Sequence, residues 1–171
     1  GLLRHFSHGN LFYDHGGRMA AKGIVSLALL KKLMRQPFIG LRPPKSSGRE
    51  EFGEPMIREI LTYGRRHRLR PEDLVASATA FTALSIAENY RRFVFPRGVP
   101  DEIIFGGGGT HNPTLMRMIR QELSGKISTF EEHGLSADAA EAVCFAVLAY
   151  LAFHRFPANL PSVTGARHSV V

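Results

Sequence analysis

The chain has 171 residues, a length that fits one domain. Hydrophobic residues make up 44% and charged residues 22%, too apolar for a disordered chain. Its formal net charge of +7 is unevenly placed: residues 1–70 carry 14 Lys and Arg against 5 Asp and Glu, whereas residues 71–171 carry 8 against 10. A basic first half suits nucleic acid or phosphate-bearing small molecules, and equally a set of solvated helix faces. The cations are not interleaved with exposed aromatics as in a single-strand binder, so no nucleic-acid partner is expected. No apolar run reaches the roughly 20 residues of a membrane span. Cys144 is the only cysteine, which rules out an internal disulfide and thiolate-only metal sites and fits a reducing, cytoplasmic setting. With neither an initiator Met nor a signal peptide at Gly1, the chain is expected to begin part-way into a longer protein.

In chain order, Tyr13-Asp14-His15-Gly16-Gly17 reads as a turn. Ile24, Leu27, Leu30 and Leu33 then recur at helical spacing and predict one amphipathic helix over about Arg18 to Arg35, ended by Pro37. Residues 40–50 are rich in Pro, Gly and Ser and form the best hinge candidate. Within that loop Lys45, Ser46 and Arg49 supply two cations and a hydroxyl that could close over an anionic sugar or phosphate; a rigid linker with solvated charges fits as well. A helix is expected from about Glu51 to Arg66. Another opens at Pro71-Glu72-Asp73, where Pro in the first turn and acids at the positive end of the dipole are favourable. It should run to about Arg92, with Leu74, Ala78, Phe81, Leu84 and Ala87 on one face.

Glu102-Ile103-Ile104-Phe105 predicts a short buried strand. Gly106, Gly107, Gly108 and Gly109 follow, then Thr110-His111-Asn112-Pro113, with Asn112 as N-cap and Pro113 at the first helical position. Glycines between a strand and a helix let backbone approach a ligand without an intervening Cβ, and the helix start offers free N–H groups, which suits a nucleotide. Taken alone, the run also fits a flexible surface turn. A second strand is expected at Lys126 to Phe130, then a buried helix from about Ala137 to Phe153. Asp138 and Glu141 would share a face at its start; such a pair can hold Mg²⁺ or act in acid/base work, and it can also merely offset the helix dipole. Glu141, next to an apolar run, is expected to be half buried, and Cys144 is expected to be a core thiol. The histidines show no metal-ligand spacing, and Ser46 and Ser47 have no relay of the hydrolase kind. Strand, loop, helix, strand, helix is α/β, yet two strands cannot make a covered sheet, so further strands are expected upstream.

Five segments together resemble one family, the anhydro-N-acetylmuramic acid kinases. Gly107-Gly108-Gly109-Thr110-His111-Asn112-Pro113-Thr114-Leu115-Met116 resembles its GGGxxNxxLM segment. Gly134 to Ala142 with Phe145-Ala146 resembles G[IL]xxDxxEAxxFAxLA, and Asn159 to Ala166 resembles the closing NLPSVTGA. Pro44 to Glu50 resembles PKSTGRE, and Tyr13-Asp14 with Gly17, Ala20 and Gly23 resembles YDxxGxxAxxG. The resemblance implies the C-terminal lobe of a two-lobed sugar kinase with an actin-like ATPase (ribonuclease H-like) fold, helix-rich and with its sheet incomplete here. Residues 102–171 would form the nucleotide-binding part and residues 40–50 the closure loop.

The implied activity is ATP- and Mg²⁺-dependent opening of 1,6-anhydro-N-acetylmuramic acid with phosphorylation at O6, in peptidoglycan recycling. Gly106 to Gly109 and Asn112 would lie on the adenosine side, Glu141 by the metal or sugar, and Lys45, Ser46 and Arg49 in the closure region. The family's N-terminal phosphate loop and the DTGPGN segment bearing its general base have no counterpart in this sequence. An isolated chain is therefore expected to be inactive, its missing partner being the N-terminal lobe of the same protein; a homodimer is compatible with this reading. A levoglucosan kinase-like enzyme, or a non-catalytic nucleotide- or partner-binding module, is the alternative.

Overall fold

The computed structural model describes residues 1–171, except for the side chain of Arg49. In the first half, short helices pack around one long one. Helix α1 (Leu2–Phe6) is followed by α2 (Arg18–Lys22), α3 (Leu27–Leu33), α4 (Pro37–Gly40), α5 (Arg49–Phe52) and α6 (Glu54–His67). The long helix is α7 (Pro71–Asn89), extended by a π-helical turn at Tyr90–Val94. Strand β1 (Glu102–Phe105), helix α8 (Pro113–Glu122) and strand β2 (Lys126–Thr129) form a right-sized βαβ unit, its strands parallel with Ile103 beside Ile127. Helices α9 (Ala140–Phe153) and α10 (Pro161–Thr164) complete the chain. The α/β class is as expected.

Two apolar cores meet on α7. Leu29, Leu33, Met56, Ile60, Leu74 and Phe81 belong to the first; Ala83, Ala87, Ile103, Met116, Ile119 and Leu123 belong to the second. Small residues along α7 (Ala76, Ser77, Ala83, Ala87) are fully buried and let α2, α3 and α8 come close. One helix thus carries the helical body on one end and the βαβ unit on the other.

The single helix expected over residues 18–35 is instead two. Gly23 is extended and lies so close to the backbone of Glu72 that any Cβ there would overlap it. The crossing is tied by hydrogen bonds: Ile24 N–H donates to Asp73 Oδ1 at 2.8 Å, and Ser26 N–H donates to Ser77 Oγ at 2.9 Å. Ser26 then caps α3 through Leu29 N–H. The break rotates the second half of the pattern: Leu29 and Leu33 are buried, while Ile24 and Leu27, expected on the buried face, are 73% and 77% exposed. Likewise Gly53 divides the helix expected over residues 51–66, and Pro37 starts a short helix rather than ending a long one.

The largest departure is α9. Expected to be buried, it has no buried residue, and Phe145 and Phe153 are 71% and 83% exposed. Cys144, expected in a core, is exposed, and so is Glu141. The helix starts at Ala140, so Asp138 sits in the preceding turn and not on a helix face with Glu141. The physical reason is plain: among the described residues no other element packs closely on α9.

Candidate nucleotide cleft

Two glycine turns, far apart in sequence, build one cleft. The first is Tyr13 to Gly17. Asp14 accepts from Met19 N–H and Ala20 N–H, both at 2.9 Å, and so caps α2. Gly16 and Gly17 both take positive φ, at 60° and 64°. Gly17 lies against Asn112 and Thr114, where a side chain would collide. Thr114, buried, donates its hydroxyl to the Gly17 carbonyl at 2.9 Å and locks this turn onto the start of α8. The Tyr13-Asp14 and Gly-rich segments, quoted separately in the sequence, are therefore neighbours.

The second turn is the run after β1. Its four glycines have different reasons for being glycine. A Cβ on Gly106 would overlap the ring of Phe130, so this residue is demanded by packing. Gly107 has φ of 85°, a conformation that disfavours side chains, and neither it nor Gly108 has anything within 4 Å of where a Cβ would stand. These two face open space. Gly108 to His111 forms a 3₁₀ turn, and Asn112 Oδ1 then accepts from Leu115 N–H at 2.9 Å, as expected of an N-cap.

Between the two turns lies a cavity of about 700 Å³, lined by Tyr13, Asp14, His15, Gly16, Gly108, Gly109, His111, Asn112, Leu115 and Asp138. The rings of Tyr13 and His15 pack together on one side, centroids 4.3 Å apart. On the other, His111 Nε2 is 3.0 Å from Asp138 Oδ1. Bare main chain, the N-terminus of a ten-residue helix, the apolar Leu115 and planar rings suit a nucleoside phosphate. Tyr13 and His15 were not singled out as site residues from sequence, and only the pairing of the two glycine turns would have marked them; Asp138 was expected as a partner of Glu141 and instead lines the cleft.

The other expected site residues lie elsewhere. Lys45 Nζ donates to the carbonyls of Phe38 and Ile39, at 3.0 and 3.2 Å, and stands over the rings of Phe38 and Phe93. Burial, with Arg92 nearby as a second cause, lowers its pKa below the usual lysine value. Lys45 closes the end of α4 here and holds the 40–50 loop in place. Ser46 is exposed, and the Arg49 side chain lies outside the described residues. Glu141 stands on the exposed start of α9 and does not line the cleft, whose carboxylates are Asp14 and Asp138. Among the described residues no three His, Cys, Asp or Glu side chains converge to hold a metal. These residues do not make a Mg²⁺ site by themselves.

One cluster that mimics a catalytic relay is not one. Ser128 Oγ and Glu102 Oε1 lie 3.0 and 3.3 Å from the same nitrogen, Nε2 of His133. A relay needs the carboxylate on the other ring nitrogen. The hydrogen bond from Ser128, then that from Lys126, holds Glu102 at a pKa of about 2, and the cluster ties β1 to β2.

No helix among the described residues is long and apolar enough to cross a membrane. A family profile described as anhydro-N-acetylmuramic acid kinase matches residues 4–171. The protein of that name from Bacillus cereus (strain G9842) is 46% identical over 164 residues, which cover 94% of this chain and 42% of the relative. Its counterpart in Bacillus cereus (strain ZK / E33L) is 43% identical over 162 residues, covering 93% and 42%. In Bacillus thuringiensis subsp. konkukian (strain 97-27) the figures are 42% identity over 162 residues, 93% and 42%. The chain thus spans about two-fifths of the length of the relatives it matches. Since the match runs through both glycine turns and nearly to each end, the chain belongs to the anhydro-N-acetylmuramic acid kinase family.

Proposed function

We propose that this chain is the C-terminal lobe of an actin-like, ATP-dependent carbohydrate kinase that opens 1,6-anhydro-N-acetylmuramic acid with water and phosphorylates it at O6. One observation carries the nucleotide part of this reading: Gly108 and Gly109 present bare backbone to a cavity of about 700 Å³ that the rings of Tyr13 and His15 also border. The names of the relatives supply the sugar. Gly107 to Gly109 and Asn112 then hold the adenosine side of ATP, with Tyr13 and His15 against the base. Gly106 serves this loop indirectly, by letting Phe130 pack beneath it.

In the reaction, the oxygen of water bonds to C1 of the sugar while the C1–O6 bridge breaks. O6 takes the γ-phosphoryl group and ADP leaves; a base takes the proton of the water. Positioning and charge stabilisation dominate such a transfer. The base and the phosphate-side loop belong to residues beyond this chain, and Mg²⁺ would be held chiefly by the nucleotide phosphates, with Glu141 as the metal- or sugar-side carboxylate. The 40–50 loop, held by Lys45, is the closure element between lobes.

The experiment is phosphate transfer from ATP by the polypeptide extended to the length of its relatives, with anhydro-N-acetylmuramic acid and levoglucosan as rival acceptors. Transfer to the first, yielding the 6-phosphate, is expected. Transfer to levoglucosan alone would reassign the sugar, and transfer to neither would end the reading. In the same protein Glu141→Ala should lower turnover by more than about tenfold. Unchanged turnover would remove Glu141 from the site.

A further inference from the structure

Helix α9 carries one charged residue, Glu141, in 14 residues, and its remaining side chains are almost all apolar. At about 100° per residue, the exposed Val143, Phe145, Val147, Leu148, Tyr150 and Phe153 point in every direction around the axis. A helix that is hydrophobic all round is an interior helix, not one with a single docking stripe. Three surroundings could enclose it. Lipid is excluded by length, because 14 residues rise about 21 Å against a hydrocarbon core of about 30 Å. A second copy packing across a two-fold axis would cover one stripe and leave the opposite side in water. The third is further polypeptide of the same protein.

The βαβ unit points the same way. A parallel sheet is normally covered on both faces and is rarely stable as two strands. Here one face of the pair packs on the second core through Ile103 and Ile127, while Ile104 on the other face is 46% exposed. The outer edges of β1 and β2 are both unpaired among the described residues. More than half of each relative's length lies outside the matched region, which is ample to supply strands and cover.

We propose that α9, around its whole circumference, and the open β1–β2 sheet are the seat onto which that remaining polypeptide folds, making α9 a core helix of the complete protein. This rests on reading the chain as one part of a longer kinase, but it concerns folding and not catalysis. Cys144, the chain's single cysteine, lies in the middle of the seat and reports on it directly.

The test is the rate at which a maleimide labels Cys144, followed on the peptide that contains it. In the 171-residue chain, labelling should be as fast as for an exposed thiol. In the polypeptide extended to the relatives' length, it should slow by more than about a hundredfold, since labelling then needs local opening. Equal rates would overturn the proposal. So would a 171-residue chain that is dimeric with Cys144 already protected, which would make a second copy the occupant. A second variant guards the result: Phe145→Asp should leave the melting temperature of the short chain unchanged and prevent cooperative folding of the extended one. No change in either would also overturn it. Neither readout involves phosphate transfer. A protected Cys144 in a protein that phosphorylates nothing would end the kinase reading and leave this one standing.

Discussion

Helices α7 and α9 both lack a single apolar stripe, yet they are opposite in circumstance. Both are apolar around most of their circumference, and neither has the polar face that marks a surface helix. Yet α7 buries Leu74, Val75, Ala76, Ser77, Phe81, Ala83 and Ala87, while α9 buries nothing. The difference lies in the neighbours. Helix α7 is flanked by segments of the chain that meet its small residues, and polar atoms are satisfied at each crossing: Ser77 accepts from Ser26 N–H and donates to the Asp73 carbonyl at 2.6 Å. Helix α9 follows the turn at residues 137–139, and among the described residues no other element packs closely on it. Apolarity around a helix states that it is covered in the working protein; the covering element has to be found separately.

The comparison can be broken most forcefully at its aromatic residues. Phe81 on α7 is 7% exposed and Phe145 on α9 is 71% exposed. Phe81→Ala should destabilise the 171-residue chain by about 3–5 kcal/mol, the cost of deleting a packed ring and leaving a cavity. Phe145→Ala in that chain should change stability by less than about 0.5 kcal/mol. Denaturant melts of the two variants measure both, and equal losses would show that α9 is packed after all.

A smaller effect sharpens the α7 side. Asp73, at its first turn, is held at a pKa of about 2, first by the hydrogen bond from Arg70 and then by Ile24 N–H. Its ordinary value is 3.8. A depressed carboxylate contributes stability that is complete above the unfolded value and is lost as pH falls through the folded one. The gap in melting temperature between the parent chain and Asp73→Ala should therefore be constant above about pH 5 and close progressively between about pH 4 and pH 2. A gap independent of pH would mean that Asp73 acts through packing alone.

Much of the fold could be read from local pattern. The strand at Glu102–Phe105, the Asn112 cap, the Pro71 and Pro113 helix starts and the strand at Lys126 each depend on short-range chemistry, and each stands where it was expected. What local pattern could not reveal was set by contacts between distant segments. Gly23 breaks a helical period because α7 passes over it, and periodicity carries no trace of that crossing. The cleft was half legible: the glycine loop was visible, but its opposite wall comes from Tyr13 and His15, some hundred residues away and joined through Thr114 and Gly17. Glu141 was expected beside Asp138 because helical spacing was continued across residues that form a turn.

The most direct test of the nucleotide cleft is a single methyl group. Gly108 has a φ outside the left-handed region and nothing within 4 Å of a prospective Cβ, so Gly108→Ala costs the fold little. It does place a methyl where the cleft needs bare main chain. In the polypeptide extended to the relatives' length, the variant should melt within about 1 °C of the parent while ATP affinity, by calorimetric titration, falls by more than about tenfold. Unaltered ATP affinity in the stable variant would contradict the placement of the nucleotide in this cleft.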